Sequence, residues 1–226
     1  MNAYTNPSAA TTSDSPRYTP CEETINAVTH GIGVLLSIAA LVTLLLLTAG
    51  NGDIRHVAGF IIYGASLFTL YMASFLYHAA RREKLKTRFR MFDHCSIFLL
   101  IAGTYTPILL IAMRGPWGWT LFAMIWTMAA AGLFYEIVFG GRRKWISLAL
   151  YIAMGWLAVI AVKPMLSALP TGLLLWILFG GLLYTGGIVF YVWKRLPFNH
   201  AIWHVFVLGG SALHFTGIVR YLTPPA

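Results

Sequence analysis

Long hydrophobic stretches without any Asp, Glu, Lys or Arg alternate with short polar segments along most of the chain. The uncharged stretches cover residues 31–52, 57–80, 95–113, 115–135, 145–162, 164–193 and 196–219. A helix rises about 1.5 Å per residue, so about 20 residues cross the roughly 30 Å of hydrocarbon in a bilayer. We therefore predict seven membrane-spanning helices, at 24–49, 57–80, 91–112, 117–139, 145–162, 171–193 and 198–221.

The composition supports this class of protein. Hydrophobic residues make up 58% of the 226 residues and charged residues only 10%, whereas a soluble domain carries about 25% charged residues. The short connections leave no room for a domain outside the membrane. We predict an all-α membrane protein with one seven-helix transmembrane domain at 21–226. The preceding segment 1–20 is polar and rich in Pro, Ser and Thr, and is predicted to be a disordered tail.

The positive charges predict an orientation. Twelve of the sixteen Lys and Arg residues fall in the tail and in the second, fourth and sixth connections, and four fall on the other side. Lys and Arg collect on the cytoplasmic side of membrane proteins. We therefore expect a multi-pass protein of the cell membrane with a cytoplasmic N-terminus and an external C-terminus. The same loops account for the net charge of +9, so no nucleic-acid partner is expected.

Several ionisable side chains fall at one predicted membrane face, although the orientation was assigned from Lys and Arg alone. Ionisable residues are costly in a bilayer and are functional candidates by default. Five of the seven histidines and one aspartate reach the cytoplasmic ends of four predicted helices. They are His30, His78, Asp93, His94, His200 and His204.

The spacing of these residues indicates a metal site. His200 and His204 are four residues apart, so both rings project from one helix face and can bind one ion. Ser74 and His78 have the same spacing. Three histidine nitrogens and a water form an open tetrahedral zinc site. A nearby carboxylate, for which Asp93 is the candidate, could orient or deprotonate that water.

Each of these residues also has a structural alternative. A single His-x-x-x-His pair at a helix end is weak evidence, because histidine tolerates the membrane interface. Asp93 could instead pair with Arg90 or cap the third helix, and Ser74 could be a small packing residue. Glu136 is predicted to reach towards Arg142 and Arg143 and is assigned no function.

Taken together, four motifs resemble the hemolysin III branch of the progestin and adipoQ receptor (PAQR) superfamily. The motifs span residues 22–204 in the order of that family. They are Glu23-x-x-Asn26-x-x-x-His30, Ser74-x-x-x-His78, Asp93-His94 leading into LIAGTYTP at 100–107, and His200-x-x-x-His204.

The resemblance implies a seven-helix bundle that binds zinc through His78, His200 and His204. It also implies that Asp93 holds the water at the zinc, with Ser74 beside it. Because three histidines and a water fill a tetrahedral site, other residues nearby are expected to support the ligands. These supporting residues are Glu23, Asn26, His30 and His94.

Adiponectin receptors in the superfamily and the related alkaline ceramidases imply a zinc-dependent hydrolase of an amide or ester bond in a membrane lipid. Two alternatives remain open at this point. One is a non-enzymatic membrane-homeostasis or lipid-sensing protein in which zinc is structural. The other, implied by the family name, is cytolytic pore activity.

Overall fold

The computed structural model describes residues 18–139 and 143–224. Within these residues all regular secondary structure is helical. The predicted tail lies outside the described residues, apart from its last three positions. The eight α-helices are α1 (Pro20–Thr48), α2 (Ile54–Ala79), α3 (Glu83–Pro107), α4 (Pro116–Phe139), α5 (Lys144–Gly155), α6 (Val162–Ala168), α7 (Thr171–Val192) and α8 (Asn199–Leu222).

These elements form seven spans that are long and apolar enough to cross a membrane, as predicted. The third span continues past Pro107 as a π-helical turn, Ile108–Ala112. The fifth span joins α5 to α6 through a 3₁₀ turn, Leu157–Ala161, and reaches Ala168 instead of ending at residue 162. Proline at the third position of α6 is tolerated because the first turn of a helix has no internal partner for that N–H.

Helix α1 begins at a well-defined position because its first turn is capped. Thr19 Oγ1 accepts a hydrogen bond from Glu22 N (3.2 Å), and Glu22 Oε2 accepts one from Thr19 N (2.9 Å). This reciprocal capping box satisfies two backbone donors that the helix itself leaves free. The cap fixes the rotational position of the first turn, which carries Glu23.

The starts of α1, α3 and α8 and the end of α2 meet at one end of the bundle, which we call the histidine end. The rings of His30 in α1 and His204 in α8 lie 3.5 Å apart between centroids. At the opposite end, Arg114 Nη2 and Asp53 Oδ2 lie 3.6 Å apart and link the connections that follow α1 and α3. The alternation of helix direction that the sequence predicted is therefore present.

The core lies along α2 and α3, where Phe60, Tyr63 and Phe98 are fully buried. Gly132 lets α4 approach this core, because a Cβ atom there would lie 2.3 Å from the ring of Phe98. Apolar side chains on the outside of the bundle remain exposed, among them Leu46 at 70%. An exposed apolar surface of this kind is stable in lipid but not in water.

Helices α5 and α7 are loosely packed against each other. Added Cβ atoms at Gly155 of α5 and Gly181 of α7, which both line one cavity, would meet no other atom within 4 Å. A hydrogen bond from Trp156 Nε1 to Thr185 Oγ1 (3.1 Å) joins the two sides. The bundle therefore has a lateral opening between α5 and α7.

The orientation in the membrane remains a prediction, and it can be tested with reporters. A reporter enzyme that works only outside the cytoplasm should be active when it is fused to the C-terminus, because seven spans place it opposite the N-terminus. The same reporter inserted in the connection between α2 and α3 serves as the control and should be inactive. The reverse pattern would contradict the charge-based orientation.

Candidate metal centre

Three buried histidines converge at the histidine end. His78 comes from the last turn of α2, and His200 and His204 come from the first turns of α8. Each side chain offers a ring nitrogen, and the three nitrogens lie within 4.8 Å of one another. Zinc–nitrogen bonds are about 2.0–2.1 Å long, so nitrogens around one tetrahedral zinc lie about 3.3 Å apart and the three rings would have to move closer together to share an ion.

Glu23 orients the ring of His78. The Nδ1 atom of His78 donates to Glu23 Oε2 at 2.7 Å, which leaves the lone pair on Nε2. That Nε2 atom is buried and has no hydrogen-bond partner in the described part of the chain. Lys86 Nζ contacts the other carboxylate oxygen of Glu23 at 2.7 Å and holds the carboxylate in place. A carboxylate that fixes the tautomer of a histidine is a common support for metal ligands.

Thr29 orients the ring of His204, as Glu23 orients the ring of His78. Its Oγ1 lies 3.0 Å from His204 Nδ1, and the hydroxyl proton points to the carbonyl oxygens of Ile25 and Asn26. The hydroxyl oxygen therefore accepts from Nδ1–H, and the lone pair of His204 is on Nε2. The sequence analysis missed Thr29, because the contact joins helices 175 residues apart and depends on how they pack.

The residue before α8 has an unusual backbone conformation, which sets the direction in which the first turn of the helix, with His200, begins. Phe198, immediately before the helix, has φ 56° in the left-handed region, which is costly for a residue with a Cβ. Its N–H donates to Glu22 Oε1 at 3.1 Å. Asn199 Nδ2 donates to the carbonyl oxygen of Phe190 at 2.9 Å. The starts of α1 and α8 are thereby tied together beside the site.

Both nitrogens of His200 are buried and have no partner among the described residues. Burying such a group without a partner is costly. The ring of Tyr18 stacks on His200, with centroids 5.1 Å apart and planes inclined by 29°. Tyr18 therefore covers the histidine cluster on its outer side. An ion bound by His78, His200 and His204 would satisfy His78 Nε2 and one nitrogen of His200, so the residues present fit a metal.

His30 and Asn26 lie behind the cluster. The ring of His30 stacks on that of His204 with planes inclined by 13°, and its edge meets the ring of Tyr71. The side chains of His30 and Asn26 are buried and have no partner in the part of the chain that the structure describes. Both residues are thus beside the ligands, as expected of supporting residues, although their role remains a prediction.

Asp93 and Ser74 face the same cavity as His200 and His204. Asp93 is 8% exposed and Ser74 is 1% exposed, so both side chains are buried beside this cavity. The interpretation of Asp93 as a helix cap is wrong, because α3 begins at Glu83 and Asp93 lies well inside it. No ion pair joins it to a described residue such as Arg90 within 4.0 Å.

Glu136 does not reach towards Arg143, so this part of the prediction is wrong. Arg142 lies outside the described residues. Glu136 is 2% exposed and accepts a short hydrogen bond from Ser147 Oγ. His94 Nδ1 lies 3.9 Å from Glu136 Oε2. The carboxylate turns into the bundle because a neutral donor and an imidazole are available there, whereas Arg143 is exposed. His94 lies beside Glu136 and also lines the cavity of Asp93 and His200, and its supporting role remains a prediction.

A continuous cavity, which we call the inner cavity, runs from the histidine cluster along the interior of the bundle. Near the histidine end, polar side chains line it, including Ser74, Asp93 and His204. Further along, aliphatic and aromatic side chains of α3, α5, α7 and α8 line it. The inner cavity meets the lateral opening, because the loosely packed Gly155 and Gly181 are part of its wall.

These features define a polytopic membrane protein with a buried, convergent histidine cluster at one end of its bundle. The sequence profile of the haemolysin-III-related family matches residues 18–215, and the chain belongs to that family. The resemblance to hemolysin III and the PAQR superfamily is therefore confirmed.

Relatives align along nearly the whole chain. Hemolysin-3 of Bacillus cereus is 48% identical over 91% of this chain and 94% of its own length. The Hemolysin-3 homolog of Bacillus subtilis (strain 168) is 45% identical over 90% and 96%, respectively. The monocyte to macrophage differentiation factor of Homo sapiens is 33% identical over 91% of this chain and 87% of its own length.

Glu23→Gln tests whether the carboxylate supports a metal ligand. The amide is nearly the same size but is a weaker acceptor for His78 Nδ1–H, so the affinity for zinc should fall by about 10–100-fold. Competition with a chelator of known affinity would measure it. Glu83→Gln is the control, since that exposed glutamate lies at the start of α3. Equal zinc affinity for Glu23→Gln and the wild type would contradict a supporting role.

Proposed function

We propose that this protein is a zinc-dependent hydrolase that cleaves an amide or ester bond of a membrane lipid at the histidine end of the inner cavity. The observation that carries the proposal is the position of Asp93. This carboxylate lines the same cavity as His200 and His204, and with His78 these two histidines place three ring nitrogens within 4.8 Å of one another. A buried carboxylate without an ion pair is costly, so its position indicates a chemical use.

In this proposal His78, His200 and His204 hold the zinc. Bound zinc supplies a Lewis acid that polarises a carbonyl and lowers the pKa of water. The chain contributes the dry surroundings and the fixed tautomers of His78 and His204. Glu23 and Thr29 keep the nitrogens of these two rings pointed at the site without any rearrangement during the reaction.

Asp93 is proposed as the general base. Hydrolysis adds the OH of water to the acyl carbon, breaks the C–O or C–N bond, and leaves the remaining proton on the departing alcohol or amine. A carboxylate beside the acyl carbon can accept the proton from water and return it to the leaving group. Ser74, whose hydroxyl has no partner in the described residues, can donate a hydrogen bond to the developing oxyanion.

The shape of the inner cavity favours a lipid as the substrate. Its walls beyond the histidine end are mainly aliphatic and aromatic, which suits a hydrocarbon chain better than a water-soluble substrate. Ile152 is part of the wall and is also 39% exposed on the outside of the bundle. An acyl chain could therefore enter from the bilayer between α5 and α7 while its polar end reaches Asp93.

His204→Ala tests the metal. Purified wild-type protein should carry about one zinc per chain, and the variant should lose most of it, because a tetrahedral site needs three protein ligands in addition to water. Elemental analysis in neutral detergent measures the content. His56→Ala is the control, since His56 lies at the opposite end. Full zinc occupancy in His204→Ala would mean that the ligands are assigned wrongly.

Asp93→Asn separates an enzyme from a protein in which zinc is only structural. The variant should retain zinc and its melting temperature, because the three imidazoles are untouched, but should lose any lipid hydrolysis by at least about 100-fold. The amide cannot accept the proton from water. Lipid extracts of cells that express each form, analysed by mass spectrometry, measure the loss.

Asp53→Asn is the matched control for this experiment. Asp53 caps α2 at the opposite end of the bundle, and asparagine caps a helix about as well as aspartate. This variant should keep both zinc and hydrolysis. If Asp93→Asn retains its zinc and the cellular lipid pattern is also unchanged, the hydrolase mechanism is refuted and the lipid-sensing alternative is favoured.

A further inference from the structure

A second cavity, which we call the vestibule, lies outside the histidine cluster. Three cationic side chains from different parts of the chain line it, namely Arg90 of α3, Lys144 of α5 and Lys194 after α7. It shares Asp93 and His200 with the inner cavity. Any lipid that reaches the proposed catalytic residues with its acyl chain in the inner cavity would place its headgroup in the vestibule.

Two cations of the vestibule, Lys144 and Lys194, are close enough to repel each other. Desolvation beside the cavity and the nearby charge of Lys144 lower the pKa of Lys194. Lys194 Nζ also lies over the ring of Tyr191, 4.4 Å from its centroid. Like charges held together beside a cavity favour an anion between them, because the anion offsets their repulsion.

Three tyrosines complete the vestibule, namely Tyr18, Tyr77 and Tyr191. None of their hydroxyls makes a hydrogen bond to a residue that the structure describes. A tyrosine hydroxyl is protonated at neutral pH and can donate a hydrogen bond. Cations together with free hydroxyl donors form a polar surface that suits the oxygen atoms of a phosphate or a carboxylate.

We propose that the vestibule binds the anionic headgroup of the lipid substrate, a phosphate or a carboxylate. This inference rests on the proposed function, since it names the class of lipid that the same site would hydrolyse. Lys194 Nζ donates to the carbonyl oxygen of Tyr191 and lies over the ring of the same residue, so an anionic headgroup would give it the charged partner that no described residue supplies. The carboxylate of Asp93 lies at the inner side of the vestibule, so it repels the anion and keeps it at the outer, cationic rim.

Direct binding tests this proposal independently of catalysis. The ligands are dioctanoyl phosphatidic acid, dioctanoylglycerol, which has the same chains without the anion, and inorganic phosphate. Each is titrated into zinc-loaded full-length protein in a neutral detergent. Dioctanoyl phosphatidic acid should bind at least about 10-fold tighter than dioctanoylglycerol, which corresponds to about 1.4 kcal/mol. Higher salt should weaken the preference.

Paired variants locate the site. Arg90→Gln and Lys194→Gln should each weaken the binding of phosphatidic acid by about 10-fold, the loss of one charge-assisted hydrogen bond. Arg88→Gln and Arg195→Gln are the controls, since these exposed residues lie near the first pair but outside the vestibule. They should bind the lipid as the wild type does. Zinc content and melting temperature, measured for all four variants, establish that each is folded.

Two results would overturn the proposal. The first is equal affinity of the wild type for phosphatidic acid and dioctanoylglycerol. The second is an equal loss of affinity in the vestibule and control variants, which would indicate a general surface charge effect. Inorganic phosphate competes with the lipid only if both bind the vestibule. Competition that the vestibule variants weaken would support the anion site and would indicate that free phosphate from solution can also fill it. Selective binding without any hydrolysis would refute the proposed function but leave the headgroup site standing.

Discussion

The arrangement of the histidine end depends on the contact between Glu23 and His78. An ionisable group inside an apolar bundle is stable only where a partner compensates its charge or satisfies its hydrogen bonds. Glu23 has two such partners, His78 on one carboxylate oxygen and Lys86 on the other. This single carboxylate connects α1, α2 and α3, and it determines which nitrogen of His78 faces the other histidines. The geometry of the candidate site therefore follows from a local requirement for charge compensation.

Much of the fold could be predicted because hydrophobic length and charge are read directly from the sequence. The seven spans and the convergence of histidines at one end followed from charge-free stretches and alternating helix direction. The ends of the helices were harder to predict. The start of α3 was placed at residue 91 instead of Glu83, because the basic segment 83–90 resembles a loop in composition but continues the helix. Because α3 begins at Glu83, Asp93 lies inside the helix and cannot cap it.

The sequence predicted which residues belong to the site better than it predicted their contacts. The i,i+4 spacing identified His200 and His204, since both lie on one face of a helix. Thr29 and the burial of Glu136 beside Ser147 could not be found in this way. Both depend on the rotation of one helix against another, for which a single sequence contains no periodic signal. The vestibule was missed as well. Its cations come from three separate basic segments, and only the packing of the helices brings them together.

The link between the first and last helices has a consequence for biosynthesis. The hydrogen bond from Phe198 N–H to Glu22 and the contact of Thr29 with His204 span 176 and 175 residues. The ribosome completes α1 and α2, with Glu23 and His78, long before it makes α8. Until α8 inserts, Glu22 and Thr29 lack the partners that α8 and Phe198 supply and must be satisfied by water or within α1. His200 and His204 also reach His78 only then, so the histidine cluster assembles in the last step of insertion and exists only in a chain whose spans are all in place.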